Sequence, residues 1–491
     1  VLVAYTAEPV IFNAFVTKPT SQGRPPFTLW AILRNIVFYI PPVLGSAFIL
    51  LLSFLAMLVP AKKSSRQAAI GWMLHRACRI LVGYAAFIHP RRIGPDGERI
   101  RSWKGEAGVI VANHQSSLDI IMILATFPKV KFMVADWVLT SPLFGAISRF
   151  LGYYSRSEGY QKSLERLRTD VADGWCLAVF PEGTRSLNGK IKRFHKGAFY
   201  LASQVGVPVI PVVFYGNWRI APKNQGFNMT EGIAVTEILP PVQSAGIEYH
   251  ELTSRISALV KSEYAELCRK YDSPVNPYFR KALVSSYIYK GPVTEWYVKV
   301  KTKMEDSYSF FHSVLPREGR ITDIGCGMGQ MDFMLSMYCP ERRIIGIDYD
   351  ADKIAVAQNS WLLKNLPDLE FRCGNASECE LPESNAFVIS DMLHYLDPQA
   401  QEALIRRCAE KLLPGGMILV RDSDSENTKG QKVTALSEVF STRILAFNRT
   451  QGDLNFISHS RMSSIASAVG LKMTVRSNDA VTSNTFYILK F

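Results

Sequence analysis

The sequence predicts an α/β chain of two bodies behind an N-terminal apolar segment, and three observations carry that prediction. Short apolar runs of strand type end in polar clusters and lead into helical patterns, over residues 108–213 and again over 320–491. Residues 35–61 are a run of 27 without a charge. The third is the charge split: residues 1–300 hold 35 basic and 19 acidic side chains, whereas residues 301–491 hold 21 and 24. Two bodies of opposite sign have different partners, and the anionic partner falls to the first. A length of 491 residues fits about two to four domains. With 48% hydrophobic and 20% charged residues, long disorder and collagen-like structure are excluded.

The uncharged run reads as a membrane helix or helical hairpin. About 20 apolar residues cross a hydrocarbon core of roughly 30 Å. Pro41 and Pro42 suit a first helical turn, and Val43 to Val59 gives 17 residues. That length reaches about 25 Å, short for a straight span and enough for a re-entrant hairpin; a buried core helix is the competing reading. Lys62, Lys63, Arg66, Arg76 and Arg79 follow the run, against Arg24 and Arg34 before it. The positive-inside bias therefore puts the rest of the chain on the cytoplasmic side of the cell inner (plasma) membrane. Gln67 to His89 reads as a second helix, with Arg76 and Arg79 on one face able to reach lipid phosphates. Val1 opens an apolar stretch that reads as the continuation of a longer polypeptide. The eight cysteines contain no C-x-x-C pair, which points to reduced thiols and no structural metal.

The first chemistry lies after the run Gly108–Ala112, where Asn113-His114-Gln-Ser116-Ser-Leu-Asp119 leads into an apolar helix. His114 and Asp119 stand five apart across a strand-to-helix turn, so a carboxylate can fix one imidazole nitrogen and leave the other as a base. Alone, the spacing fits a structural histidine with a helix-capping aspartate better than a catalytic pair. A second strand, Trp175–Phe180, ends in Pro181-Glu182-Gly183-Thr184-Arg185-Ser186, with Lys190, Lys192, Arg193 and Lys196 close behind. Such a cluster holds a phosphate by forked and point-charge contacts. A third, Val207–Val213, completes a small mixed sheet.

These three blocks, in order and spacing, resemble the signature of the glycerolipid (lysophosphatidic acid) acyltransferases, the PlsC-like family, over about residues 70–225. The resemblance implies a PlsC-like α/β acyltransferase domain that uses acyl-CoA or acyl-ACP, the latter making an acyl carrier protein a partner, and a membrane lipid as acceptor. It implies His114 as the base and Asp119 as its orienting carboxylate. Glu182, Gly183, Thr184 and Arg185 then line the acceptor's phosphate region, with Arg156 and Lys196 as further phosphate contacts. The Arg156 block reads Tyr-Ser-Arg where the family more often has an aspartate before the arginine.

Residues 272–311 read as a helical linker rich in aromatic and basic residues, among them Tyr287, Tyr289, Trp296 and Tyr297, suited to domain packing or a membrane interface. Beyond it, Asp323-Ile-Gly325-Cys-Gly327-Met-Gly329 follows a strand and opens a helix, and a second strand ends in Asp348. An acid there can take both ribose hydroxyls of a nucleoside. Asp391 ends a further strand, and Pro414-Gly-Gly416 precedes another. The alternation gives a parallel, doubly wound sheet.

This set resembles the class I S-adenosylmethionine-dependent methyltransferases, a Rossmann-like fold, over about residues 300–491. The resemblance implies S-adenosylmethionine as cofactor, held by Asp323, Gly325, Gly327, Gly329, Asp348, Asn375 and Asp391; Asn375 stands where the family more often has aspartate. The glycine spacing departs from the G-x-G-x-x-G of dinucleotide enzymes. Asp391-Met-Leu-His394 is not the N/D-P-P-Y/F pattern of DNA amino-methyltransferases, and the acidic balance of this half disfavours nucleic acid. His394 reads equally as a base near the transferred methyl or as a packed histidine.

The expected organisation is a membrane-embedded segment 1–66, an acyltransferase domain 67–271, a linker 272–311 and a methyltransferase domain 312–491. The expected function is a bifunctional membrane enzyme of lipid metabolism that transfers acyl and methyl groups. Two alternatives stand beside it: an acyltransferase with a non-catalytic S-adenosylmethionine-binding module, and a membrane-docking interaction protein.

Overall fold

A computed structural model describes residues 60–85, 87–142, 144–223, 229–304, 307–423, 454–477 and 484–491, with scattered helical positions between 29 and 55. By its contacts the chain divides into two compact units, one running through Lys281 and the other from Ala282 to Phe491.

In the first unit, helix α1 (Lys63–Tyr84) precedes strands β1 (Ile88–Ile93) and β2 (Val109–Ala112). Then come α2 (Leu118–Thr126), β3 (Val130–Val134), α3 (Asp136–Thr140), α4 (Gly145–Leu151), β4 (Tyr154–Ser155), α5 (Tyr160–Ala172) and β5 (Cys176–Val179). The unit closes with α6 (Gly197–Val205), β6 (Val209–Tyr215), α7 (Asn217–Ile220), β7 (Gly232–Ile238) and α8 (Tyr249–Tyr271). Its sheet has seven strands in the order β1-β7-β6-β2-β5-β3-β4. Strands β2, β5 and β6 are buried along their whole length, as parallel strands covered on both faces must be. Alternation along β2 sorts its side chains into two cores. Ile110 and Ala112 pack with Val82, Leu118 and Met122 from α1 and α2. Val109 and Val111 pack with Leu164, Phe199 and Leu252 from α5, α6 and α8.

The sheet is larger than the three strands read from the sequence. Strand β1, Ile-His-Pro-Arg-Arg-Ile, has an edge position and pairs only with β7; an edge tolerates Pro90 and charged residues that mask a strand pattern. The same proline corrects the helix expected over Gln67–His89. Helix α1 ends at Tyr84 and His89 belongs to β1, opposite Ile233.

Of the expected membrane segment, residues 1–28 and about half of residues 29–59 lie outside the described ones. Among the described residues no helix is long and apolar enough to cross a membrane. At the described positions before residue 60, the apolar side chains Ile36, Ile40, Leu44, Phe48, Leu51 and Leu55 are exposed.

Residues 272–311 are helical, with α9 (Pro277–Ser285), α10 (Pro292–Met304) and α11 (Ser307–Val314). In the second unit Tyr287 is fully buried and donates its hydroxyl to the Met328 carbonyl at 2.7 Å, so this linker aromatic is core. There follow β8 (Gly319–Ile324), α12 (Gln330–Tyr338), β9 (Arg342–Asp348), α13 (Ala351–Gln358), β10 (Leu369–Cys373) and β11 (Ser384–Ser390). Helix α14 (Pro398–Glu410), β12 (Leu412–Ser423), α15 (His459–Ala468), β13 (Lys472–Ser477) and β14 (Asn484–Lys490) complete the unit. The sheet order is β10-β9-β8-β11-β12-β14-β13, parallel through β12 and antiparallel at β14 and β13. Chain order reverses between β8 and β11, and such a switch point leaves a crevice at the strand ends for a ligand. Asp350 caps the start of α13 by accepting from Asp352 N and Lys353 N, and the helix ends at Gln358.

Candidate functional site

Because β2, β5 and β6 are parallel neighbours, the loops after them emerge along one edge of the first sheet. The β2 loop carries His114, the β5 loop Glu182 to Ser186, and the β6 turn Asn217. His114 Nδ1 and Asp119 Oδ2 are 2.8 Å apart, with Asp119 fully buried and the His114 side chain 15% exposed. Asp119 Oδ2 also accepts from Gln115 N at 2.6 Å and Ser116 N at 2.8 Å, while Oδ1 accepts from Asn217 Nδ2 at 2.7 Å. Four donors, three at Oδ2 and one at Oδ1, hold the carboxylate in place. The imidazole stacks on Phe180 at 4.0 Å and 16°, which sets its ring plane. The arrangement leaves Nε2 as the nitrogen able to take a proton.

Glu182 holds the β2 and β5 loops together. Its Oε1 accepts from His114 N at 2.7 Å and its Oε2 from Lys192 N at 2.8 Å. Burial pushes this carboxyl above its ordinary range, opposed by those two backbone donors. Ser186 N adds a bond to the His114 carbonyl at 2.8 Å. So of the predicted phosphate-region residues, Glu182 faces backbone amides, and Arg156 lies beside Gly183. A Cβ added at Gly183, whose φ is +71°, would lie 3.8 Å from His195 Nε2 and 3.9 Å from Arg156 Nη1. Arg156, Thr184 and Lys196 are exposed and Arg185 is half-buried; Thr184 Oγ1 accepts from Lys223 Nζ at 3.0 Å.

The aspartate missing before Arg156 has a spatial replacement. Asp136, at the start of α3, accepts from the hydroxyls of Ser155 and Ser157, the latter at 2.8 Å. Those hydroxyls hold the Asp136 carboxyl below its usual range, with the Arg156 charge adding to the effect.

In the second unit the glycine loop follows β8. Gly325, Gly327 and Gly329 have φ of +81°, +58° and +78°, values that glycine adopts without penalty. Asp348, at the tip of β9, accepts from Gly327 N at 2.7 Å and Asp350 N at 2.9 Å. Asn375 uses its side-chain oxygen to accept from Ser377 N at 3.1 Å. Asp391 is the only described non-glycine residue with positive φ, +55°, and its Oδ2 accepts from Arg421 Nη1 at 2.8 Å. Strained backbone of this kind is held in place only where the surroundings fix it.

Asp323 lies beneath the loop, almost wholly buried, beside the fully buried Asp332. Burial first, and then the neighbouring Asp332, raise Asp323 well above a carboxylate's usual range; burial pushes Asp332 up to about 7. His394 Nδ1 meets Asp422 Oδ1 at 2.7 Å, and His394 N donates to Asp422 Oδ2 at 3.1 Å, both side chains being buried. This second His–Asp pair joins the turn after β11, which carries His394, to the C-terminal end of β12, which carries Asp422.

S-adenosylmethionine fits this set of groups. An added Cβ at Gly327 meets nothing within 4 Å, so the loop faces open space, and the buried Gln330 Nε2, just behind it, has no hydrogen-bond partner. Asp348 lies against that loop, where a ribose needs an acceptor.

Comparison with known proteins assigns each unit. Residues 95–215 match the family model described as Acyltransferase, and residues 321–416 match the one described as Methyltransferase domain. The chain joins an acyltransferase domain to a methyltransferase domain. For the acyltransferase domain, a chloroplastic 1-acyl-sn-glycerol-3-phosphate acyltransferase of Brassica napus is 36% identical over 118 residues, 23% of this chain and 34% of that protein. The mouse 1-acyl-sn-glycerol-3-phosphate acyltransferase alpha is 27% identical over 227 residues, 45% of this chain and 77% of that protein. The chain spans less than half the length of the plant and algal relatives it matches, 34 to 44%. Among solved structures, the PlsC acyltransferase of Thermotoga maritima aligns at 25% identity and TM-score 0.42, over 49% of this chain and 96% of that one. An O-methyltransferase family protein of Burkholderia thailandensis aligns with 20% identity and TM-score 0.32, over 40% and 58%.

Several residues at these sites had no role in the motif reading: Asn217, Asp136, His195 and Phe180 in the first domain, Asp332 and Asp422 in the second. Asn217 and Asp422 are 98 and 28 residues from their partners. Only the polar cluster after each strand end signalled them.

Proposed function

We propose that the first domain transfers an acyl group from an acyl-CoA or acyl-ACP thioester to the hydroxyl of a lysophosphatidic-acid-like lipid. The observation that carries this reading is the 2.8 Å contact between His114 Nδ1 and Asp119. His114 Nε2 takes the acceptor's hydroxyl proton as its oxygen bonds to the thioester carbonyl carbon. The carbon–sulfur bond then breaks, and the imidazolium returns the proton to the departing thiolate. Asp119 compensates the imidazolium charge meanwhile. Arg156, Arg185 and Lys196, with Thr184 as a hydroxyl donor, hold the acceptor's phosphate through charge-assisted contacts.

The reaction takes place at a bilayer, on the cytoplasmic side of the inner (plasma) membrane. Its support is the exposed apolar side chains Ile36, Ile40, Leu44, Phe48, Leu51 and Leu55 and, on α1, the exposed Trp72, Ile80 and Tyr84, with the Arg76 guanidinium 5.6 Å over the Trp72 ring. An apolar face with cations alongside suits an anionic lipid surface. The segment before Lys62 inserts as a helix or hairpin.

The second domain methylates a lipid or small molecule. S-adenosylmethionine supplies an electrophilic methyl on sulfur when bound. Asp348 would accept its ribose hydroxyls, the Gly325–Gly329 loop would admit its amino-acid end, and Asn375 and Asp391 would supply further polar contacts. His394, oriented by Asp422, offers Nε2 to the acceptor's proton.

Membranes containing the full chain, given labelled acyl donor, labelled S-adenosylmethionine and a panel of lysolipids, test both halves. His114→Ala removes acyl label and Asp348→Ala removes methyl label. Wild-type acyl incorporation by His114→Ala overturns the acyl reading. Methyl label that persists in Asp348→Ala overturns the cofactor assignment.

A further inference from the structure

The His114–Asp119 pair has a third member that no sequence motif names. Strand β6 ends at Tyr215, and Gly216 turns the chain with φ +84° into the short helix α7. A side chain at Gly216 would collide with the Ile233 carbonyl. That turn aims Asn217, fully buried, at Asp119, with Nδ2 2.7 Å from Oδ1.

Several bonds make this placement rigid. The Asn113 side chain pairs with the Phe214 backbone in both directions, donating at 2.9 Å and accepting at 2.7 Å. Ser116 Oγ donates to the Ala221 carbonyl at 2.7 Å. Two residues beyond Asn217, Arg219 forms a two-pronged pair with Asp272 at 2.7 and 2.9 Å, both side chains buried. Thr230 Oγ1 donates to the Arg219 carbonyl at 2.6 Å. The turn that carries Asn217 is thereby tied to the β2 loop on one side and to the end of α8 on the other.

We infer that Asn217 is a positioning residue for acyl transfer, holding the far oxygen of Asp119 so that the near oxygen stays on His114 Nδ1. Three of the four donors on Asp119 lie at Oδ2: His114 Nδ1 and two backbone amides. Asn217 is the donor at Oδ1. Without it the buried Oδ1 has no compensation, and the carboxylate rotates to share its donors between both oxygens, which draws Oδ2 away from the imidazole. This inference rests on the acyl-transfer reading, and the test separates the two.

The full chain is assayed for acyl transfer as wild type, His114→Ala, Asn217→Leu and Asn217→Asp, with thermal melting recorded on each preparation. Asn217→Leu keeps the volume and removes the donor; kcat falls about 10- to 100-fold, with the KM for the lipid acceptor within about threefold. Asn217→Asp keeps the shape and replaces the amide with an acid. While that acid holds a proton it still donates to Asp119. Once ionised it repels Asp119, so the ratio of its kcat to wild type falls about tenfold or more between about pH 6 and about pH 8.5. A folding role alone gives a ratio that is flat with pH and follows the loss of melting temperature, and that result overturns the inference. Wild-type kcat at every pH in both Asn217 variants, with His114→Ala inactive, overturns it too. Should Asn217→Leu not fold, the pH course of Asn217→Asp decides. An active His114→Ala instead removes the acyl-transfer reading itself.

Discussion

Asp119→Asn is the sharpest perturbation of the first site, because the replacement has the same shape and opposite hydrogen-bonding demands. In the native site Oδ2 accepts from His114 Nδ1 at 2.8 Å, Gln115 N at 2.6 Å and Ser116 N at 2.8 Å, and Oδ1 accepts from Asn217 at 2.7 Å. An amide can satisfy one side only. With its oxygen toward the backbone amides, its NH2 meets the NH2 of Asn217; flipped, its NH2 meets the backbone donors. The chemical cost is separate from this clash. When His114 takes a proton, a carboxylate at contact distance offsets the imidazolium by about 4 kcal/mol at an effective dielectric near 20. At about 1.4 kcal/mol per tenfold in rate, the loss is about 10³-fold in kcat. The acceptor KM stays within about threefold, since the phosphate contacts are elsewhere. Initial rates with labelled acyl donor, on purified full chain in lipid, measure both constants. A folded Asp119→Asn protein that keeps more than a tenth of wild-type kcat refutes the reasoning.

Three further outcomes are expected. Arg156→Ala raises the KM for a phosphorylated acceptor about 10- to 100-fold and changes kcat little; an acceptor without a phosphate, compared in the same assay, is unaffected. Asp422→Asn lowers methyl transfer about 100-fold or more while the dissociation constant for S-adenosylmethionine, by calorimetry, stays within about threefold. Asp332→Asn acts through pH. Burial holds Asp332 at about 7, against about 3.9 in an unfolded chain, so the folded state binds the extra proton between those values and its stability falls as pH rises through them. The variant removes that penalty, and the melting transition of its unit rises by several degrees at pH 8 and little at pH 4, by differential scanning calorimetry.

The site edge was legible because its signals are local. Continuous apolar runs such as Val109–Ala112 and Val209–Tyr215 mark strands buried on both faces, and the polar residues at their ends mark the loops. The spacing from His114 to Asp119 falls within one strand-to-helix turn, so the pair could be read without a fold. Asn217 could not, because its partner is reached only after β6 is laid beside β2. Asp136 was hidden for the same reason, as it stands 19 residues ahead of Ser155 and only the parallel pairing of β3 with β4 brings their ends together. Glu182 lay inside a motif and was given a phosphate role, since a sequence does not tell which way a loop carboxylate turns. Strand β1 was lost to composition: charge and proline are tolerated at an edge, where only one side needs a partner.

The ion pair between Arg219 and Asp272 reaches past the last long helix of the acyltransferase fold. Asp272 sits in a segment whose Ser-Pro-Val-Asn-Pro sequence resembles a disposable spacer, yet it neutralises a guanidinium in the domain's interior. Removing one partner of such a pair costs about 3–5 kcal/mol. Gene rearrangements that exchange the methyltransferase for another module must therefore leave this spacer with the acyltransferase. A protease that nicks the chain just before Asp272 is expected to inactivate the upstream enzyme instead of liberating it.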